Sequence, residues 1–513
     1  MKKLLIILLS VTLLQCSEDF LDRSSLTQIA ENNFWTSEAD AFLALNGVYD
    51  VLQSRSMYGG NLNGFQGIPG FDGFGDNSFN AFKWEGPGLF MEGTTDPTFG
   101  PILNIWNDHY RGIARVNAVI FNLENVSDEV IPQVTKQELL GQAYFLRALF
   151  YFNLSVYFEE VPLILEPQTL ETAFVAKNTY NEIYAQVVAD LTLASEFLPT
   201  RQPDELFGYA TKGAALGLFA RVQLYNQVYD GEFGVLNLTN QAIGLGYSLY
   251  SNYAELFTEA GETSNEIVFA ARFFRNAATS NGENFSATFL ASPKGDMRPM
   301  RNLVFDYYCT DGLPITESPL YNPSNQGANR DPRANASIYF VGDQWLDEPV
   351  RAFTGNSPTG YGQRKYIRRG PGPDGTAVFG DGSQDFYIIR YADILLMRAE
   401  ALVETGDLNG AAALVNEVRA RVNMPSVQDV EGIGSQSQIR DIVRHERRVE
   451  LAFEGLRFMD LKRWNEVEQA VARAAADPVG PYNPQYLGKR SEVFPIPQAE
   501  IDVNPNLVQN PNW

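Results

Sequence analysis

Cysteine and histidine are nearly absent from this chain. Its 513 residues hold 2 of each: Cys16 and Cys309, His109 and His445. If Cys16 is taken up by processing, no disulfide forms within the chain, and core packing must hold the fold. Two imidazoles leave little for a zinc centre or for histidine acid–base catalysis. Positive charge is short as well: 39 Lys and Arg face 62 Asp and Glu, a formal net charge of −23. A chain this acidic repels nucleic acid at long range, and it has no basic stripe interleaved with aromatics, so nucleic acid is not an expected partner. It also lacks a run of about 20 apolar residues, the length that a membrane-spanning helix needs.

Aromatic residues are plentiful, at 12% with 34 Phe and 24 Tyr. The hydrophobic fraction of 45% and charged fraction of 20% are ordinary for a folded soluble protein. The length implies two lobes or one large mixed domain. At the N-terminus, Met1-Lys2-Lys3 precedes an apolar run from Leu4 to Leu14, the pattern of an export signal. Leu13-Leu14-Gln15-Cys16 resembles a bacterial lipobox, in which the thiol is lipidated and becomes the new N-terminus. Gln15 stands where a small residue is usual. Residues 1–15 thus read as signal peptide and 16–36 as a lipidated tether. Removal of Lys2 and Lys3 with the signal takes the net charge to −25.

Helical periodicity begins at Ser37, with Ala41, Leu45, Val48 and Leu52 at spacings of four, three and four. It breaks over 58–100, a segment rich in Gly, Asn and Phe. It resumes from Pro101 toward Phe121 and continues through 138–158, 180–197, 211–227 and a shorter block at 240–257 interrupted by Gly244 and Gly246. Residues 262–386 turn to short β-type runs with Gly, Pro and Asn. Helices return at 388–404, 409–422 and 438–453. Leu396, Ala399 and Val403, then Gly406, Leu408 and Ala412, match the small-and-large alternation of a tetratricopeptide hairpin. The expected organisation is a helical region over 37–261 with a variable loop at 58–100, an irregular ligand-side lobe over 262–386 and a helical region over 387–513.

Several blocks resemble one family. They include Cys16-Ser17-Glu18-Asp19-Phe20-Leu21-Asp22, Tyr144-Phe145-Leu146-Arg147-Ala148, Arg330-Asp331-Pro332-Arg333 and Arg390-Tyr391-Ala392-Asp393. The most specific runs from Glu446-Arg447-Arg448-Val449-Glu450 through Glu454-Gly455-Leu456-Arg457-Phe458 to Lys462-Arg463-Trp464. In order and content these resemble the SusD/RagB outer-membrane lipoproteins of Bacteroidetes. The resemblance implies a mainly α fold, with tetratricopeptide-like hairpins carrying an irregular, loop-rich lobe with short strands. It implies a non-catalytic, surface-exposed binder of oligosaccharides that acts as the lid of a SusC-like, TonB-dependent transporter. Within the family the alternative ligand is a peptide; in other classes, the alternatives are a surface glycoside hydrolase and a structural adaptor. Glu18 and Asp19 resemble the signal that sends such lipoproteins to the outer leaflet.

Sugar rings present flat C–H faces with polar edges, so their sites combine aromatic platforms with Asn, Asp, Gln or Arg. Trp84, with Asn80 or Asp76 to orient the ligand, is the first candidate. Trp345 with Arg351 is the second, and Phe274 with Arg275, beside Phe273 and Asn276, the third. Phe65, Phe71 and Phe74 are expected to fold their loop onto itself. Trp35, Trp106 and Trp464 sit in framework blocks where core packing is expected. Gln363–Arg369 is a basic patch suited to an acidic sugar or to a partner contact. The charges of Glu446–Glu454 read as structural ion pairs, and His109 and His445 as structural residues. Gly370-Pro371-Gly372-Pro373 lacks the Gly-Lys-Thr of a phosphate loop and reads as turns. Hydrolysis requires two carboxyls at a defined separation, and no pair stands out. No metal or nucleotide motif occurs, so no cofactor is expected, and the net acidity favours a neutral polysaccharide.

Overall fold

The computed structural model describes residues 34–61, 64–275, 282–287, 295–347, 350–355, 357–369, 381–479 and 482–513. Cys16, the expected signal, most of the expected tether, Asn276 and the Gly370–Pro373 turns lie outside them.

Helix α1 (Glu38–Tyr49) begins where the periodicity does. Ser37 caps it, its Oγ accepting the Asp40 N–H at 3.3 Å, and Ala41, Leu45 and Val48 are buried. The longer helices that follow are α2 (Gly100–Asn125), α3 (Gln133–Phe158), α4 (Tyr180–Phe197), α5 (Lys212–Tyr225) and α6 (Val235–Ile243). Each packs on the next from α2 to α6, as an irregular stack of hairpins. Thr179 and Glu182 form a capping box at the start of α4, and Thr211 caps α5. Helix α3 is buried continuously from Leu139 to Phe158, which makes it the central rod. Its one buried guanidinium, Arg147, makes two 2.8 Å bonds to Asp190 on α4. The block expected over 240–257 breaks at Gly244 and Gly246 as expected, but its first helix begins earlier, at Val235. Helix α6 stops at Gly244, Gly246 takes a φ of +88°, and helix returns only over Tyr253–Leu256.

The second helical group is α7 (Tyr391–Thr405), α8 (Leu408–Arg421), α9 (Gln436–Glu450), α10 (Arg457–Arg463) and α11 (Val467–Ala476). Helices α7 and α8 form the expected hairpin around Gly406, and α7 also packs on α5 and α6, joining the two groups. Helix was expected from 388, but Phe386–Arg390 is a strand. Among the described residues eight short strands pair antiparallel in twos: β1 (Ser78–Asn80) with β3 (Met297–Pro299), β2 (Ile267–Ala271) with β8 (Phe386–Arg390), β4 (Ile338–Tyr339) with β7 (Gly362–Gln363), and β5 (Gln344–Asp347) with β6 (Val350–Ala352). The architecture is mainly α with an irregular, loop-rich lobe. The principal apolar core draws residues from Ala41 to Leu507, so both helical groups share it. No helix among the described residues is long and apolar enough to cross a membrane.

Charged residues bind the end of α9 to everything around it. Glu450, fully buried, receives Arg421 at 2.5 Å, Arg390 at 2.6 Å and Arg333 at 3.0 Å. Burial would raise its pKa, but the three guanidinium groups outweigh that and hold it well below the carboxylate range. Arg447 joins Asp393 at 2.6 Å to Asp460 at 2.8 Å, while Arg221 reaches Asp393 from α5 at 2.6 Å. Carboxylates and guanidinium groups are tolerated at such depth only when paired. The Glu446–Glu454 block is therefore a structural clasp between the two helical groups.

The expected basic patch at Gln363–Arg369 is not an open one. Lys365 is buried with Nζ 2.5 Å from Glu454, Arg369 pairs with Asp347 at 2.8 Å, and Arg364 lies 4.0 Å from Asp343. His109 is buried, its Nδ1–H donating to the Ile105 carbonyl at 2.7 Å, and burial lowers its pKa to about 4. His445 bonds the Asp306 carbonyl at 2.7 Å and stacks on Tyr308.

Candidate functional site

The loop over 58–100 folds back on its own phenylalanines. Phe65, Phe71 and Phe74 are buried with ring centres 5.1–5.9 Å apart. That cluster supports a short helical turn, Lys83–Glu85, steadied by a 2.5 Å ion pair between Lys83 and Glu92. Gly86 ends the turn at a φ of +154°, and a Cβ there would lie 2.5 Å from the Phe65 ring, so only glycine lets the ring close against the backbone. Trp84 is thereby pushed outward. Its side is steadied by the Phe82 ring at 5.2 Å, yet the residue stays 65% exposed, an uncommon state for so large an apolar group.

Trp84 faces a cleft of about 650 Å³. The N-terminal half of α2 lines the same cleft, where Asn104, Asn107, Asp108 and Arg111 recur at three- and four-residue spacing and so share a face. Ser54, Arg55 and Ser56 complete the rim. Arg111 donates to Ser54 Oγ at 2.5 Å and pairs with Asp108 at 2.8 Å. Burial raises the pKa of Asp108, the Arg111 charge opposing that. Asn104 and Asn107 are exposed. One aromatic face together with amides, hydroxyls and a guanidinium matches the two-sided chemistry of a pyranose ring.

Of the expected ligand residues, only Trp84 lines this cleft. Asp76 is fully buried and held by Arg473 at 2.6 Å, Arg457 at 2.8 Å and Arg448 at 3.2 Å. Burial would raise its pKa, but these cations lower it far below the usual range. Asn80, in β1, is 1% exposed and turned toward Met297, with Nδ2 3.7 Å from the sulfur. Neither side chain reaches the face that carries Trp84. Trp345 is also inside, packed with Tyr339, Leu346 and Phe353. Arg351 is exposed on β6, so the two are not a joint platform. Phe274 is 67% exposed, Phe273 is buried, and Arg275 pairs with Asp381 at 2.7 Å. Trp106 and Trp464 lie in the core as expected, and Trp35 is partly buried against it. Among the described residues no group of three or more His, Cys, Asp or Glu is placed to hold a metal ion.

Residues 265–513 match the model described as the SusD family, and residues 75–224 match one described as starch-binding and associating with the outer membrane. The chain belongs to the SusD family. A SusD-like protein of Formosa agariphila is 26% identical, over 96% of this chain and 95% of its own length. The solved structure of a SusD-like carbohydrate-binding protein from Bacteroides fragilis superposes with a TM-score of 0.77 at 27% identity, over 93% of this chain and 100% of that one. A laminarin-binding SusD-like protein superposes with a TM-score of 0.71 at 27% identity, again over 93% and 100%.

In this SusD-family chain the α2 wall was missed by sequence reasoning. Its signal was present: Asn104, Asn107, Asp108 and Arg111 form the polar stripe of the helix whose apolar stripe carries Ile105, Trp106, Ile113 and Val116. A polar stripe alone reads as solvated surface. Only the fold brings Trp84 into one cleft with it.

Proposed function

We propose that the protein is a non-catalytic, cell-surface glycan-binding lipoprotein. It captures oligosaccharides in the Trp84 cleft and acts as the lid of a SusC-like, TonB-dependent transporter. Its lipid anchor at Cys16 holds it at the outer membrane beside that partner. The observation that carries the binding reading is Trp84 itself: a 65% exposed indole sharing an open cleft with exposed asparagines. Family membership and a laminarin-binding relative of the same fold support the ligand class. The partner and the anchor follow from the SusD/RagB resemblance and the lipobox.

The test is affinity electrophoresis and calorimetry of the full mature chain with laminarin, soluble starch and xylan. Wild type binds at least one of them, and Trp84→Ala weakens that binding by at least about tenfold. No reducing ends accumulate. Release of reducing ends by purified protein makes it a hydrolase instead. Binding of peptides with no polysaccharide bound would replace the ligand class.

A further inference from the structure

A second depression opens immediately beyond the Trp84 cleft. Ser54 lines the Trp84 cleft and Gln53 the second depression, so consecutive residues at the end of the Asp50–Gln53 turn border the two. Its near part holds about 280 Å³ and its far part about 730 Å³, and both are lined by Phe207, Gly208, Tyr209 and Arg272. Phe207 is 54% exposed. The Arg272 guanidinium lies 4.4 Å from its ring centre, and Gln53 Nε2 donates to the Arg272 carbonyl at 2.7 Å. Gly208 has a φ of +105°, and a Cβ there would strike Arg272 Cδ at 2.4 Å, so glycine is needed for the arginine to lie across the backbone. An exposed aromatic beside a fixed fork of donors thus recurs in the second depression.

Paired charges along the two depressions bear on the ligand class. Arg111 pairs with Asp108 at 2.8 Å and Arg272 with the buried Asp385 at 3.2 Å, while Arg55 on the cleft rim and Arg201 on the far part, 3.8 Å from Asp204, are exposed. Arg111 and Arg272 offer N–H donors while their charge is already balanced. Such groups suit hydroxyls better than carboxylates or sulfates, which require an uncompensated cation. Arg111 and Arg115 are one turn apart on α2 and bond Ser54 of the cleft and Asp50 of the second depression.

The geometry points to a second carbohydrate subsite at Phe207 and Arg272, continuous with the Trp84 cleft, so that one neutral polysaccharide chain occupies both. The inference rests on the glycan-binding reading above and extends it to chain length. Two linked subsites raise the affinity for a polymer without altering that for a fragment that fills one of them.

Titration calorimetry of the full mature chain tests this with laminarin, starch or xylan, whichever binds, and with the trisaccharide of the same polymer. Phe207→Ala weakens polymer binding by about tenfold and leaves trisaccharide binding within about twofold. Phe207→Tyr, which keeps the ring, restores the polymer affinity. Trp84→Ala weakens both ligands. Because Phe207 is largely exposed, thermal melting of its variants stays at the wild-type midpoint. Polymer affinity unchanged in Phe207→Ala overturns the second subsite while leaving the Trp84 cleft intact. Tighter binding of polygalacturonate than of any neutral polymer overturns the ligand class. Wild-type protein that binds no polysaccharide overturns this subsite together with the reading it rests on.

Discussion

Arg457 Nε lies 2.8 Å from Asp76 Oδ1, joining residues 381 positions apart in the chain. The contact fastens the loop that presents Trp84 to the first turn of α10. Arg448 on α9 and Arg473 on α11 reach the same carboxylate, so three elements of the second helical group hold the base of the loop that carries Trp84. Asp76, which resembles a ligand contact in the sequence, is buried in this ion-pair cluster and ties the loop to the helical scaffold.

Asp76→Asn is expected to destabilise the protein by about 3–5 kcal/mol, the range for breaking a buried ion pair by removing one partner. Arg457, buried beside it, loses its carboxylate. Denaturant unfolding measures the loss. Trp84→Ala, by contrast, leaves the unfolding midpoint unchanged because its indole is exposed. A stable Asp76→Asn protein that has lost glycan affinity would return Asp76 to the ligand.

Gly86→Ala places a methyl 2.5 Å from the Phe65 ring. The ring and the Trp84 turn must shift, at a cost of about 1–3 kcal/mol for overpacking. Melting temperature and glycan affinity both fall.

His109 gives the acid response a distinct window. Burial lowers its folded pKa to about 4 from the ordinary imidazole value of 6.5. The unfolded chain therefore binds the extra proton first, and stability falls as pH drops from 6.5 through 4, by on the order of 3 kcal/mol. Asp76, whose folded pKa is depressed below the ordinary aspartate value of 3.8, contributes stability that is present above that value and lost beneath it. Glu262 and Asp385, whose pKa values burial raises to about 8 and about 6, contribute with the opposite sign over the same range, so the difference in unfolding free energy between wild type and His109→Leu, measured from pH 7 to 4, isolates the His109 slope. A difference that stays constant over that range would mean that His109 is not held neutral.

Cys16→Ala is expected to release folded protein from the outer membrane. The released chain binds glycan with wild-type affinity and no longer supports uptake by whole cells. Fractionation and a growth assay on the bound polysaccharide measure the two effects. Retention of the variant at the surface through its partner alone would remove the anchor from this account.

Much of the helical scaffold was legible along the chain because its signals are local. Ser37, Thr179 and Thr211 cap helices that begin where the apolar period begins, and Gly406 turns the α7–α8 hairpin as its spacing implied. The charges of Glu446–Glu454 also declared themselves, since a helix so dense in Arg and Glu next to apolar residues must pair them when buried. Trp84 stood out as a tryptophan among glycines and polar residues. These features depend on neighbours within a turn or two.

The site depended on partners far apart in sequence, and there only the tertiary structure decided. Asp76, Asn80 and Trp345 have the composition of ligand residues, but Arg457, Met297 and Tyr339 draw them inside. Lys365 looked like part of an exposed basic patch until Glu454 was placed 2.5 Å from it. Asn104 and Asn107 looked like ordinary solvated surface until the 58–100 loop set an indole in the same cleft. Period and capping are short-range properties of the backbone, and the chain carries them unaided. Which face of a side chain meets solvent, and what stands opposite, is set by packing between segments hundreds of residues apart.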